Sequence, residues 1–246
     1  MLEGLYSAAA GMAAQQEQLD TVANDLANAS TTGYESERVA FSDLLYNAVD
    51  EAGTESSVGA GASAQVIGRN QTQGPIQETG DPLDLAIEGR GYFQLTSTSG
   101  QPVLTRNGNF GVDANGAIVD AQGNALQPPI KLPAGVSASE LKIAPDGTVT
   151  ADKKTLGQIK LVTVPSPDHL LAGGDGALTP TAASGLPVAV AASAGKIHQG
   201  ALEGSNVDMS KEMALMVSTQ RAYQMSSSAI QTESQMMSIA NQLRPS

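Results

Sequence analysis

Ser166, Asp168 and His169 bring a hydroxyl, a carboxylate and an imidazole within four residues, the side-chain set of nucleophilic catalysis. They crowd into one Pro-containing stretch and lack the strand–turn–helix Gly-x-Ser-x-Gly setting that exposes a serine nucleophile, so they read as a loop. His198 has no second histidine at a metal-ligand spacing, and both histidines read as surface residues. Asp113-Ala114-Asn115-Gly116 begins like a calcium loop but lacks the remaining oxygen ligands and the closing Glu, so it reads as a hairpin turn. Gly89-Arg90-Gly91 leads into a strand rather than a helix N-terminus and does not cradle a phosphate. Cysteine is absent, which excludes thiol catalysis, disulfides, Fe–S clusters and cysteine-ligated zinc. No cofactor, no metal site and no enzyme activity are expected.

Composition narrows the class further. The chain has 246 residues, 25 acidic against 13 basic, and a formal charge of −12. With no cation excess to displace counterions, neither a nucleic acid nor an anionic lipid surface is an expected partner. No apolar run approaches the ~18–20 residues of a membrane span. Glu3 stands where a cleavable secretory signal needs a basic region, so that route of export is not expected.

The elements that could position anything are mapped by proline. Apart from Pro245, every proline lies between Pro75 and Pro187. Proline interrupts helices, so the middle reads as β-rich and the two ends as free to be helical. Leu5, Met12, Leu19 and Leu26 recur every seven residues, with Ala9, Gln16 and Ala23 at the other seam position and Ala8 and Val22 widening the stripe. This predicts an amphipathic helix from about Leu5 to Asn28, ~36 Å long. From Met209 to Leu243 there is neither Gly nor Pro. Met216, Tyr223, Ile230 and Met237 form one stripe there, and Leu215, Ala222, Ala229, Met236 and Leu243 the adjacent one. Asp208 is the expected N-cap of this helix. The Met-rich stripe reads as packing rather than a promiscuous peptide groove.

Between the helices, Gly91–Thr96 alternates like a strand. Asn107-Gly108, Asn115-Gly116, Gly123-Asn124 and Asp146-Gly147 punctuate short β-prone pieces, the pattern of antiparallel hairpins. Leu156–Val164 reads as one longer strand and 172–176 as a loop. The fold class is therefore α+β: long terminal helices forming a coiled-coil-like stem, and a central, mainly antiparallel β domain. We assign 1–46 and 204–246 to a helical assembly domain, 47–65 and 196–203 to linkers, and 66–195 to the β domain.

Long helices with an apolar seam are marginal alone, because most helical stability comes from packing the amphipathic face. Flexible linkers and a wide C-terminal seam favour pairing of the two ends with each other and with other copies. Ends that associate only between subunits build open tubes or filaments. Residues 1–46 carry seven acids and one base, whereas 209–246 carry three bases and two acids, so opposite ends do not repel.

Three separated motifs carry a resemblance. Gly4-Leu-Tyr-Ser-Ala-Ala-Ala-Gly-Met12, then Gln15-Gln16 and Leu19-Asp20, and above all Val22-Ala-Asn24-Asp-Leu26-Ala-Asn28-Ala-Ser-Thr-Thr-Gly33-Tyr34, resemble the N-terminal signature of the bacterial flagellar rod and hook family. Leu202-Glu-Gly-Ser-Asn206-Val-Asp208 and Gln220-Arg-Ala-Tyr223 resemble its C-terminal helix motif. Asp81–Phe93 and Thr105–Phe110 resemble its β domain. The resemblance implies a structural subunit of the basal-body rod, an axial helical homopolymer that transmits torque from motor to hook. The implied partners are other copies, other rod proteins, the hook protein, surrounding ring proteins and the flagellar type III export apparatus. The implied location is the periplasmic rod. Gln220–Tyr223 and Asn241–Arg244 point to the distal rod. The stretch from Tyr46 to Gly59 is shorter than in well-known distal rod proteins, which keeps the proximal rod open as an alternative, and hook proteins are usually longer. Outside the family, the alternative is a secreted β-domain binding module on a helical oligomerisation stem. The expected assembly interface comprises Leu5, Met12, Leu19, Asn24, Leu26, Asn28, Gly33, Tyr34, Asn206, Leu215, Met216, Gln220, Tyr223, Ile230, Met237 and Leu243. Within it, Asn28 is expected to end the helix and Gly33 to make a turn, with Tyr34 and Phe41 as aromatic anchors.

Overall fold

The computed structural model describes residues 2–44, 47–48, 57–58, 60–133, 137–152, 154–190 and 195–242. It is α+β and divides into two compact units.

The first unit comprises Met1–Ala27, Glu37–Ile67 and Asp208–Ser246. It holds α1 (Leu2–Ala27), β1 (Glu37–Asp43), β2 (Asn47–Ala48), β3 (Ser57–Val58), β4 (Ala62–Arg69) and α2 (Met209–Gln242). β1 pairs with β4 and β2 with β3. The two helices pack against each other and run antiparallel: Gly4 faces Glu233, while Asp25 lies close enough to Glu212 to act on its charge. Asp208 caps α2 as expected, its Oδ1 accepting from the N–H groups of Ser210 at 3.0 Å and Lys211 at 3.2 Å. Two of the four N–H groups that a helix start leaves orphaned are satisfied in this way.

The second unit comprises Asn28–Ser36 and Gly68–Val207. Its strands are β5 (Ile76–Glu78), β6 (Leu85–Gly89), β7 (Tyr92–Thr96), β8 (Pro102–Thr105), β9 (Gly111–Val112), β10 (Ile118–Val119), β11 (Ala125–Leu126), β12 (Lys142–Ile143), β13 (Thr148–Ala151), β14 (Lys154–Gln158), β15 (Leu161–Thr163), β16 (Leu171–Gly174), β17 (Ala177–Thr179), β18 (Val188–Ala189), β19 (Gly195–Gln199) and β20 (Ala201–Glu203). The largest sheet has nine strands in the order β16-β17-β8-β7-β11-β10-β9, with β15 joining β7 to β18. β12-β13-β14 form a three-stranded sheet, and β6 pairs with β19 and β5 with β20.

Side chains alternate across a strand, and here both faces of the large sheet are buried. Phe93, Leu95, Val103 and Leu161 enter one core cluster with Leu85, Ile87, Val149 and Ile197. Their neighbours Tyr92, Leu104 and Val162 enter a second cluster with Leu170 and Leu178. Phe93 is fully buried and meets Phe110 edge to face, the ring centres 5.2 Å apart.

Several sequence expectations change. Leu156–Val164 is two strands, because β14 belongs to the three-stranded sheet and β15 to the large one. Between them Ile159 is buried and donates its N–H to the Gly147 carbonyl. Residues 172–176 are no open loop but part of the β16–β17 hairpin, which carries a register shift between Ala172 and Gly174. Asn115-Gly116, Gly123-Asn124 and Asp146-Gly147 turn hairpins as expected. Asn107-Gly108 does not: Gly108 abuts the Leu85 backbone so closely that any Cβ would overlap it, and its carbonyl accepts the Leu85 N–H. The stretch 196–203, expected as a linker, is β19 and β20, because its N–H and C=O groups find partners on β6 and β5. Residues 62–65 of the other expected linker belong to β4, whereas 49–56 lie outside the described residues. Residues 28–36 cluster with the sheets rather than with the helices.

Candidate functional site

In the first unit the site is a helix seam. Both helices bury stripes of heptad spacing; α2 keeps the expected Met216–Tyr223–Ile230 stripe, whereas the deepest row of α1 is not the one that hydrophobicity alone selects. On α1 the deepest residues are Ala14, Thr21, Val22 and Asp25, while Leu5, Met12, Leu19 and Leu26 are half-buried along the stripe's edge. Ala9, Gln16 and Ala23, expected in the seam, are exposed. The reason is steric. Gly4, Ser7, Gly11, Ala14, Gln18, Thr21 and Asp25 recur at 3-4 spacing, and their small members admit close packing where bulky leucines would hold a neighbour off. A Cβ on Gly4, for example, would come within 3.4 Å of the Glu233 carboxylate.

On α2, Met216, Tyr223 and Ile230 are half-buried as one seam stripe. The other is Glu212, buried Thr219, Ser226 and Glu233, not the expected Ala229–Met236 row, which is exposed. Leu215 and Ala222 are half-buried at the margin, and Gln220 is exposed. The side chain of Met237 and all of Leu243 fall outside the described residues. Glu212 has its carboxyl pushed up, chiefly by burial and then by Asp25. Asp25 is buried and accepts the Glu37 N–H at 3.2 Å. Asn24 is exposed on α1.

The six large apolar side chains Met209, Met213, Val217, Met225, Met236 and Ile239 are exposed on α2. At about 100° per residue, Val217, Met225, Met236 and Ile239 fall opposite the Met216–Tyr223–Ile230 stripe, Met213 falls on its flank, and Met209 lies in line with the stripe, one heptad before Met216. On α1, Tyr6 is 74% exposed. Phe41, expected as an anchor, is 49% exposed on β1 and is not buried within the chain.

In the second unit the motifs that lie far apart in sequence meet. Asn28 follows the last residue of α1, and its side-chain Oδ1 accepts the Thr31 hydroxyl at 3.1 Å. Gly33 has φ +66, and a Cβ there would lie 2.5 Å from the Asn107 backbone nitrogen. Its N–H donates to the Glu203 carbonyl at 2.8 Å. Tyr34 is half-buried, and its carbonyl accepts the Asn206 N–H at 3.2 Å. Asn206 ties three chain passes together. Its Oδ1 accepts the Ser36 N–H at 2.8 Å, and its Nδ2 donates to the carbonyls of Asn70 at 2.6 Å and Thr72 at 2.8 Å.

The same unit holds a buried ionic knot of Glu35, Tyr92, Arg106 and Glu203; the last three stand inside the motif segments and Glu35 directly follows one, but none of the four is marked by local sequence as a partner of the others. Arg106 is 5% exposed. Its Nη1 donates to both Glu203 carboxylate oxygens, at 2.8 and 3.0 Å, and its Nη2 to the Gly89 carbonyl at 2.9 Å. Its Nε lies 3.3 Å from Glu35 Oε1. Tyr92 donates its hydroxyl to Glu35, and the Arg106 guanidinium sits 5.6 Å from the Tyr92 ring centre. The Gly74 N–H completes Glu203 at 3.0 Å. Burial pushes both carboxyls up against the pull of Arg106, and it pushes the Tyr92 phenol up as well. The sequence signal that could have found the knot was Arg106, the one charged residue of Thr105–Phe110.

The residues weighed for chemistry are dispersed. Pro167–His169 is a single turn of 3-10 helix. His198 is exposed and pairs with exposed Glu88 at 2.7 Å. The Asp113 carboxylate accepts the N–H groups of Asn115 and Ala117, each at 2.8 Å, as a turn residue does. No helix among the described residues is long and apolar enough to cross a membrane.

Comparison with known proteins agrees with this placement. Three family models match: flagella basal body rod protein over residues 5–34, flagellar hook protein FlgE/F/G D1 domain over 86–151, and flagellar basal body rod FlgEFG protein C-terminal over 198–243. The flagellar basal-body rod protein FlgG of Borreliella burgdorferi is 36% identical over 99% of each chain. That of Caulobacter vibrioides is also 36% identical, over 99% of this chain and all of its own. A FlgF rod protein of Mesorhizobium japonicum is 29% identical over 91% of this chain and 90% of its own. Near-complete coverage at these identities, with the matched segments meeting in the seam and in the knot, places the chain in the flagellar basal-body rod protein family, a family of structural rather than catalytic proteins, on its FlgG-like side.

Proposed function

We propose that the chain polymerises through its terminal helices into the axial tube of the distal rod, which carries torque from the motor to the hook. The observation that carries this reading is the exposed arc of Met213, Val217, Met225, Met236 and Ile239, which faces away from the α1–α2 seam. A cluster of exposed large apolar side chains on one side of a helix marks a protein-binding face. In the proposal, copies stack their helices on that arc, while Leu5, Met12, Leu19, Asn24, Leu26, Leu215, Met216, Gln220, Tyr223, Ile230, Met237 and Leu243 make up the helical bundle whose two-helix units are stacked in this way. Asn28, Gly33, Tyr34 and Asn206 set the exit of the chain from the helices. The proposed partners are further copies, other rod proteins, the hook protein and surrounding rings, reached through the flagellar type III export apparatus into the periplasm. The residue ranges proposed above for the helical and β domains serve the same division of labour, with 196–203 now counted among the strands.

Electron microscopy of basal bodies from a strain lacking the protein tests this. A missing hook on a truncated rod is the expected result, and the stub length separates a distal from a proximal segment. Complete rods bearing hooks would overturn it.

A further inference from the structure

The ionic knot is unevenly built. Glu203 receives two hydrogen bonds from Arg106 Nη1 and a third from the Gly74 N–H. Glu35 receives a hydroxyl from Tyr92 and only an ion-pair approach from Arg106 Nε, which is off the hydrogen-bond line and donates to nothing else among the described residues. Both carboxyls are almost wholly buried, Glu35 at 5% and Glu203 at 3% exposure. One guanidinium inside the protein faces two carboxyls and satisfies one of them. The remaining positive group acting on Glu35 is Arg69, which is only half-buried and so screened by water. An ionised carboxylate left short of donors in such a place is costly, and binding a proton removes the cost.

We propose that Glu35 is a proton-operated latch: protonated, it lets the segment Asn28–Ser36 sit closed on the Arg106–Glu203 pair, and on ionising it loosens that segment. The groups facing it are Arg106, Tyr92, Arg69 and Glu203. The sign follows from linkage. The carboxyl is raised in the folded chain, so folding takes up a proton once the pH exceeds the ordinary glutamate value of 4.5. The closed latch is at full strength below that value and weakens as pH rises through the folded-state value. Because Asn28–Ser36 directly follows α1 in the chain, the state of the latch sets how firmly the exit from α1 is held.

The test is amide hydrogen exchange on the full chain at low concentration, corrected for intrinsic exchange rates, read at Gly33 and Ser36. Those amides donate to the Glu203 carbonyl and to Asn206 Oδ1. In the wild type their protection falls as pH rises above the ordinary glutamate value of 4.5, by ~10-fold for each unit by which the folded value exceeds the unfolded one. In Glu35→Gln, which mimics the protonated form, the fall with pH is smaller, only the raised Glu203 carboxyl remaining to titrate in the knot, and protection exceeds the wild type at the alkaline end. In Glu203→Gln it is lower at every pH, because Arg106 and Gly74 lose their charged acceptor, while the pH dependence persists. An infrared carboxylic-acid carbonyl band that persists in the wild type above pH 4.5, to higher pH than an ordinary glutamate allows, and is lost in Glu35→Gln is the matching signature. Flat wild-type protection, a Glu35→Gln variant weakened at all pH values, or pH dependence abolished by Glu203→Gln instead would overturn the proposal.

Discussion

At the scale of single residues, Arg106 is the side chain whose loss the second unit tolerates least. Arg106→Ala would leave two carboxyls buried without their guanidinium, and breaking a buried pair from one side costs about 3–5 kcal/mol. Urea unfolding followed at Tyr92 should show that loss. Arg106→Lys should recover little of it, since a single ammonium cannot reach Glu203, the Gly89 carbonyl and Glu35 with the planar fork they require. Gly33→Ala is expected to be similarly severe for a different reason. Its backbone is left-handed, and the added methyl would press on the Asn107 nitrogen, so the chain must shift or the hydrogen bond to Glu203 must break. Loss of protection at the Gly33 and Asn206 amides would register it. Both residues were visible in the sequence as motif letters. Their partnership was not, because Gly33 and Arg106 lie on segments that only the fold brings together.

At the scale of elements, the helix pair depends on small and polar residues more than on its leucines. Ala14 is 4% exposed, so Ala14→Leu should overpack the seam and cost about 1–3 kcal/mol. Leu19→Ala, at a half-buried margin, should cost less. Comparing the two by helical circular dichroism in urea checks which stripe forms the seam. The sequence pattern selected Leu5–Leu26 because hydrophobicity is its main signal. Close approach instead places the smallest residues innermost, and no single-helix pattern reveals which face the neighbour takes. Asp208→Ala removes the cap of α2 and should cost about 1 kcal/mol, seen as faster exchange at the Ser210 and Lys211 amides. Glu212 adds a pH dependence to the pair. Its carboxyl is raised by burial and by Asp25, with Lys211 opposing, so the helix pairing is firmest on the acid side and weakens as pH rises through the raised value. Glu212→Gln should flatten that profile in a melt of the helical signal across the pH range.

At the scale of the whole molecule, apolar side chains on α2 stay exposed among the described residues. Met213→Asp with Val217→Asp should abolish assembly into filaments while leaving monomer stability within about 0.5 kcal/mol, because both side chains are half exposed. Sedimentation of the purified chain against concentration separates the two effects. A double variant that still forms filaments would place the assembly face elsewhere.

Sequence alone settled the features that local chemistry dictates. Proline placement and heptad spacing specified two long helices flanking a β region, the Asp208 cap followed from one residue before a periodic run, and Asn-Gly and Asp-Gly steps located most hairpin turns. The absence of cysteine and the acidic balance removed whole classes of chemistry, and three spaced motifs carried the family. Tertiary structure decided what depends on neighbours distant in the chain. It made strands of 196–203, because those backbone groups find partners on β5 and β6 more than a hundred residues away. It turned Asn107-Gly108 from a turn signal into a point of backbone contact. It also set the seam on small residues, and gathered Glu35, Tyr92, Arg106 and Glu203 into one buried knot. Burial and pairing are properties of the space between segments, and no residue carries them in its own local sequence.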